Sequence, residues 1–93
     1  MISAIVLIKA DVSRIPEAAH EIAQIEGISE VYSVTGDIDL IAVARVAQHE
    51  DFHGVIADQL NKVAGVLETS THIAFRTYSD EDLEAGFALG LDD

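Results

Sequence analysis

The chain has 93 residues and no cysteine, and its 17 Asp plus Glu against 5 Lys plus Arg give a formal net charge of −12. This length suits one small domain, and the acidic charge argues against binding the phosphate backbone of nucleic acids, which requires clustered cations. The lack of cysteine excludes disulfides and thiolate metal sites, and the chain shows neither a signal-peptide pattern nor an apolar run long enough to cross a bilayer. We therefore expect a cytoplasmic domain that binds neither nucleic acid nor membrane.

The first predicted elements are a strand and a helix. Residues 2–10 are rich in β-branched side chains and end in charge, which favours a strand. A helix is expected to follow to about Ile25, with Ser13 as its N-cap and Pro16 in its first turn, where proline is tolerated. Gly27 is expected to close this helix, because glycine is common just beyond a helix C-terminus.

Two further strands, a second helix and a fourth strand complete the predicted core, which spans residues 2–78. Strands are expected over 28–35 and 40–46, and a long fourth strand over 66–78. The helix before the fourth strand shows four apolar side chains at helical spacing: Phe52, Val55, Ile56 and Leu60. A last helix is expected over about 80–91, because acidic residues crowd its first turn and large apolar residues recur four apart.

The order of elements, βαββαβ, contains an internal repeat. In 25–30 and again in 63–68, a helix ends on an apolar residue, breaks at glycine and enters a strand. Two right-handed β-α-β crossovers in one sheet give an α+β, ferredoxin-like architecture. We therefore predict a single domain over residues 1–93, a ferredoxin-like βαββαβ sandwich with an extra C-terminal helix.

The central strands of this sheet are predicted to be apolar on both faces. The two main helices of the fold cover only one face, yet Ile5 and Leu7 of the first strand and Ile41 and Val43 of the third alternate with other apolar residues. A large uncovered apolar patch is uncommon on a soluble monomer. We therefore expect a homodimer formed through the sheet, with the last helix as the alternative cover for part of this face.

The segment 34–43 is the most informative part of the chain, because two apolar runs flank a glycine and two acidic residues. It predicts a strand, a tight turn and a strand, since Gly36 takes positive φ without steric cost and Asp37 tolerates turn geometry. Backbone N–H groups beside Asp37 and Asp39 could hold a zwitterion, the N–H groups meeting its carboxylate and an aspartate its ammonium. The alternative is a hairpin turn whose aspartates are merely solvated.

Histidines raise two further possibilities. The segment 49–53 matches the HExxH motif of zinc proteases, in which two histidines bind the metal and the glutamate is the general base. His49 falls at the helix start and no third ligand is evident, so we expect a polar helix start and no metal. His72 lacks a partnered nucleophile and is expected to pack between strands or at an interface. No phosphate-binding glycine loop or dinucleotide fingerprint occurs, so no cofactor is expected.

Taken together, residues 2–78 resemble the effector-binding domain of the Lrp/AsnC family, the feast/famine regulators of amino-acid metabolism. The resemblance rests on the acidic turn at 36–39, the glycine and valine at 65–66, and the threonines on either side of Ser70 that enter the last strand. The hydroxyls of this threonine run suit a ligand pocket and a half-buried strand equally well. Members usually carry an N-terminal helix-turn-helix domain, whereas this chain starts directly at the first strand.

The resemblance implies a site and a mode of assembly. It implies an amino-acid or similar metabolite site built partly from a neighbouring subunit and formed by six residues: Gly36, Asp37, Ile38, Asp39, Thr69 and Thr71. It also implies a stand-alone, non-enzymatic form without the helix-turn-helix domain, which dimerises, assembles further into rings and modulates transcription through a full-length regulator. Two alternatives on the same fold are a small dimeric enzyme of the ferredoxin-like monooxygenase or isomerase type and an ACT-type regulatory module.

Overall fold

The computed structural model describes residues 1–78, and the helix predicted over 80–91 lies outside them. The described chain forms a four-stranded antiparallel sheet from β1 (Ile2–Ala10), β2 (Ile28–Ser33), β3 (Leu40–Val46) and β4 (Val66–Ile73). The strands lie in the order β2–β3–β1–β4, which places β1 and β3 at the centre and β2 and β4 at the edges. The predicted α+β, ferredoxin-like class is confirmed.

The first helix begins later and ends earlier than predicted. A 3-10 turn, Val12–Arg14, comes first, and α1 spans Ile15–Ala23, short of the predicted Ile25. The carboxylate of Asp11 caps the turn by accepting hydrogen bonds from the Ser13 N–H at 3.0 Å and from the Ser13 hydroxyl at 2.8 Å. These bonds hold the pKa of Asp11 below its ordinary value of 3.8. The prediction of Ser13 as the N-cap is wrong, because Ser13 is a donor inside the turn.

The second predicted helix is irregular. We call residues 51–62 the second helical segment; it contains a π-helical turn, His53–Ala57, and a 3-10 turn, Leu60–Lys62. Gly54, a poor helix former, lies within the π-helical turn, so burial rather than helix propensity holds the segment in place. The four apolar residues of the predicted helix are all buried: Phe52, Val55, Ile56 and Leu60. No helix among residues 1–78 is long and apolar enough to cross a membrane.

Two strands also end earlier than predicted. β2 ends at Ser33 rather than at residue 35, because the Val34 N–H donates to the Asp39 carbonyl at 3.0 Å and closes the turn. β4 ends at Ile73 rather than at residue 78, since Ile73 already pairs with Ala4 near the start of β1. The ladder of hydrogen bonds stops where its partner strand stops.

The core lies between one face of the sheet and the helical segments. The following side chains of β1, β3, α1 and the second helical segment are fully buried there: Ala4, Val6, Ile8, Leu40, Ala42, Ala44, Ala18, Ile22 and Leu60. The alanines among them let the helical backbone approach the sheet closely. Burial of this apolar surface stabilises the fold by roughly 25 cal/mol per Å².

The opposite face of the sheet, which we call the open face, is left uncovered by the described residues. In the register of β1 with β3, Ile5 lies opposite Val43 and Leu7 opposite Ile41. Ile5 is 43% exposed, and the other three side chains are partly buried. The predicted apolar character of both faces of the central strands is confirmed, and the open face is the one for which the sequence predicts a cover.

Two glycines allow backbone strain and packing to be tested separately. Gly27 has φ 102°, and a Cβ there would lie 2.8 Å from Cγ2 of Val55, whereas Gly36 has φ 110° with no atom within 4 Å of that position. We expect Gly27→Ala to lower the free energy of unfolding by about 2 to 4 kcal/mol and Gly36→Ala by about 1 to 2 kcal/mol, because only the first adds a clash to the strain. Urea denaturation followed by circular dichroism measures both.

Gly54→Ala is the matched control. Gly54 does not have positive φ, and a Cβ there would meet no atom within 4 Å. The substitution should leave the free energy of unfolding unchanged or raise it by up to about 1 kcal/mol. If Gly27→Ala is tolerated as well as Gly54→Ala, the close packing of Gly27 on Val55 is contradicted.

Candidate functional site

The predicted turn lies between β2 and β3, at the end of the sheet where β1 ends. Gly36 takes positive φ as predicted; Gly36 and Asp37 are exposed, and Ile38 is partly buried. The N–H groups of residues 35–38 donate to no other described residue. The turn therefore presents amide donors beside the Asp37 carboxylate, which are the two kinds of partner that a zwitterion requires.

Asp39 fastens this turn to the end of β1. Its N–H donates to the Ile8 carbonyl at 2.9 Å, and its Oδ2 accepts a hydrogen bond from the Ala10 N–H at 2.9 Å. Ala10 is 4% exposed, so the carboxylate satisfies a buried amide at the point where the β1–β4 register shifts. Sequence reasoning missed this structural role, because the two residues are 29 positions apart.

The two predicted threonines lie on β4, across β1 from the turn. Thr69 pairs with Ile8, and Thr71 shares its face of the sheet. The Thr69 hydroxyl donates to Oδ1 of Asn61 at 2.8 Å, whereas Thr71 is exposed. Because Leu40 pairs with the other side of Ile8, the start of β3 and Thr69 are two strand spacings apart, or about 10 Å. One chain thus brings the turn and Thr69 to the same end of the sheet without joining them in one pocket.

Two clefts in the described chain also fail to join the turn at 35–38 to the threonines. A cleft of about 250 Å³ lies beside Thr69 and is also lined by Asn61, Val66, Leu67 and Glu68. A larger one, of about 490 Å³, lies at the opposite end of the sheet between Gly27 and Gly54 and contains none of the predicted site residues. Sequence reasoning missed Asn61, since its bond to Thr69 depends on the 3-10 turn that ends the second helical segment.

The HExxH segment is not arranged as a metal site. His49 precedes the second helical segment and contacts Phe52 edge to face, with ring centroids 6.4 Å apart. His53 lies with its Nε2 3.7 Å from Oδ1 of Asp58. Among the described residues, no three His, Cys, Asp or Glu side chains come together as metal ligands would. That the chain binds no zinc stays a prediction.

His72 lies on the open face, opposite Ile5, and its Nε2 is 3.3 Å from the Ser70 hydroxyl. Both polar side chains are exposed, and no described carboxylate is hydrogen-bonded to the ring. The pair therefore lacks the orienting third group of a catalytic triad. The predicted role of His72 in strand packing or at an interface stays a prediction.

Comparison with known proteins identifies the family. The family model for the Lrp/AsnC ligand binding domain matches residues 3–83. The chain therefore belongs to the Lrp/AsnC family, which confirms the resemblance drawn from the acidic turn and the threonine run.

Individual relatives agree with this assignment. The uncharacterized HTH-type transcriptional regulator PH1916 of Pyrococcus horikoshii is 35% identical over 65 residues, which are 70% of this chain and 43% of that protein. The crystal structure of TTHA0845 from Thermus thermophilus matches with a TM-score of 0.80 and 38% identity, covering 85% of this chain and 99% of that chain. The transcriptional regulator NMB0573 from Neisseria meningitidis, crystallised as a complex with L-Met, shares the fold with a TM-score of 0.75 at 15% identity, over 84% of this chain and 52% of that chain.

The chain spans about half the length of the curated relatives it matches, from 43% of PH1916 to 53% of the Pyrococcus furiosus regulator PF1734. These relatives are transcriptional regulators. The predicted regulatory, non-enzymatic class is therefore confirmed at the level of the family.

Asp39→Ala should lower the free energy of unfolding by about 1 to 3 kcal/mol, because it leaves the buried Ala10 N–H without its acceptor. Asp39→Asn keeps a side-chain oxygen and should lose less. Asp37→Ala, in the same turn, is the matched control; its exposed carboxylate accepts no hydrogen bond from a described residue, so stability should not change. Equal losses for Asp37→Ala and Asp39→Ala in urea denaturation would rule out the structural role of Asp39.

Proposed function

We propose that the chain is an amino-acid effector-binding and oligomerisation domain that works in the cytoplasm and acts on transcription through partner proteins. The observation that carries this proposal is the turn at 35–38 on a domain of the Lrp/AsnC family, because its amide groups donate to no described residue and lie beside the exposed carboxylate of Asp37. The open face, apolar and uncovered by residues 1–78, supports the oligomeric part of the proposal.

A free α-amino acid suits the chemistry of this turn. Its carboxylate would accept hydrogen bonds from the N–H groups around Gly36, and its ammonium would pair with Asp37. Asp39 would contribute Oδ1 as a further acceptor, because only its Oδ2 accepts the hydrogen bond from the Ala10 N–H. The L-Met complex of NMB0573 is an amino-acid complex on the same fold, which supports this ligand class.

The site needs a second subunit to be complete. Within one chain, β1 separates the turn from Thr69 by about 10 Å, and Thr71 is exposed. We infer that the turn of one protomer and the threonines of another line a common pocket. A ligand bound there contacts two subunits, so it stabilises the assembly by the free energy of its own binding.

The open face would supply the first contact between protomers. Two such faces pack about 10 Å apart in a sandwich and bury the apolar side chains of β1 and β3 against each other. Further association of dimers into rings would then bring turns and threonines of different dimers together. With its net charge of −12, the domain would leave DNA contact to a partner, for which we propose a full-length regulator of the same family.

The wild-type chain should sediment as a dimer or larger species at micromolar concentration. Ile5→Glu should shift it to monomer, because an unpaired charge buried in the interface costs several kcal/mol. Val12→Glu is the matched control, since Val12 is 80% exposed in the turn before α1 and not on the open face. A monomer mass for the wild type across the concentration range would contradict the assembly.

A thermal-shift screen against the common amino acids should find a stabilising ligand. At about 100 times its dissociation constant, a ligand adds roughly 2.7 kcal/mol to the free energy of unfolding. Asp37→Ala should weaken binding by about 1.5 to 3 kcal/mol through one lost charge-assisted hydrogen bond. Gly36→Val should weaken it further, because a β-branched residue is strained at positive φ and intrudes on the amide donors.

Glu17→Ala serves as the control for this screen, because it removes an exposed carboxylate from the first turn of α1. Its ligand affinity, measured by calorimetry, should equal that of the wild type. The absence of a shift with every amino acid would refute the ligand class, and binding that survives both Asp37→Ala and Gly36→Val would refute the site.

A further inference from the structure

The open face is polar at its two edges, and the two edges differ in chemistry. Strand pairing aligns eight side chains of this face in two rows across the sheet: Glu30, Val43, Ile5 and His72 in the first, and Tyr32, Ile41, Leu7 and Ser70 in the second. The β2 edge thus presents a carboxylate and a phenol, whereas the β4 edge presents an imidazole and a hydroxyl.

Each edge is organised by a contact of its own. The Tyr32 hydroxyl donates to Oε2 of Glu30 at 2.6 Å, which holds the pKa of Tyr32 above its ordinary value of 10.0. Arg45 places its Nη1 3.9 Å from Oε1 of Glu30. At the other edge, the Ser70 hydroxyl is 3.3 Å from Nε2 of His72. Glu30 and His72 are both exposed, and Nδ1 of His72 makes no hydrogen bond with residues 1–78.

A second copy can cover this face with two-fold symmetry in two ways. If the axis runs along the strands, between β1 and β3, the β2 edge of each copy lies over the β4 edge of the other. If the axis runs across the strands, each edge lies over its own counterpart. Both arrangements bury the apolar rows, so the polar edges decide between them.

We propose that the axis runs along the strands, so that Glu30 of each protomer meets His72 of the partner subunit. The proposal rests on the sheet-to-sheet assembly of the proposed function and specifies its geometry. A carboxylate accepts and an imidazole donates, so each dimer gains two complementary contacts at its rim. The other arrangement would place Glu30 beside the partner's Glu30, and juxtaposed like charges are unfavourable.

The side chains are long enough for this contact. Packed sheets lie about 10 Å apart, and their strands are rotated by about 30° relative to each other. An edge strand lies roughly 7 Å from the axis, so this rotation shifts it by about one residue along the partner's edge strand. Glu30 and His72 each extend about half the gap between the sheets. Among the other charged side chains of this face, Lys9 and Glu68 pair in a row beyond Leu7 and Ser70. Arg45 lies in the row on the other side, where it contacts Glu30 of its own chain.

Charge-reversal variants of the full chain test the arrangement. Glu30→Lys and His72→Glu should each raise the Kd of self-association at least tenfold, because neither variant retains the carboxylate–imidazole contact. An equimolar mixture of the two should form a heterodimer at least tenfold tighter than either variant alone, since it holds one reversed pair and one original pair. The double variant in one chain should recover the wild-type Kd within about threefold.

Glu21→Lys, an exposed charge reversal on α1, should leave the Kd unchanged, and circular dichroism checks that every variant folds. If Glu30→Lys instead pairs preferentially with the wild type, and the double variant fails to recover, the axis runs across the strands and the inference is wrong. A dimeric wild type whose Kd responds to neither reversal overturns it as well. A monomeric wild type would refute the proposed assembly itself, which separates the two failures.

Discussion

The pairing of β1 with β3 is the interaction on which the rest of this structure depends. The two strands pair from Ile2 opposite Val46 to Ile8 opposite Leu40, and the middle of each strand is apolar on both faces. A one-residue slip would exchange the two faces and would turn Arg45 of β3 toward the core, so polarity opposes it. Size opposes it as well, because the face beneath α1 carries alanines such as Ala42, whereas the open face carries larger residues such as Ile41.

The register of β1 with β3 also determines the geometry of the candidate site. Leu40 lies opposite Ile8, so Asp39 reaches the end of β1 and accepts the Ala10 N–H. The turn is thereby held at both its ends, while the amide groups at 35–38 stay free of bonds within the described chain. Donors held in place before a ligand arrives lose little entropy on binding, so anchoring by Asp39 would favour the recognition that we propose for the rest of the turn.

Net charge opposes the assembly that the open face favours. At −12 for 93 residues, two copies repel each other at long range, although salt screens exposed charges beyond about 10 Å. Association therefore depends on short-range terms, which are apolar burial at the centre and complementary contacts at the rim. In the dimer that we propose, Glu30 at one edge and His72 at the other would let a chain with few cations complement a copy of itself.

Local patterns in the sequence were enough to predict most of the fold. The strand over 40–46 has its predicted bounds, Gly36 takes positive φ, and the apolar positions of the second helical segment are buried although its winding is irregular. Alternation, turn glycines and helical spacing are properties of neighbouring residues. They survive in the folded chain because burial follows the same periodicities.

The features that the sequence did not reveal arise from contacts between distant segments or from competition within a turn. Asp39 bonds to Ala10, and Thr69 to Asn61, only because the sheet register and a 3-10 turn bring them together. Asp11 rather than Ser13 caps the first turn because two donors of Ser13 point back to it. The sequence by itself thus determined which residue types form the turn, the core and the open face. Tertiary structure decided which of them hold one another in place, because hydrogen bonds require distances and directions that periodicity does not encode.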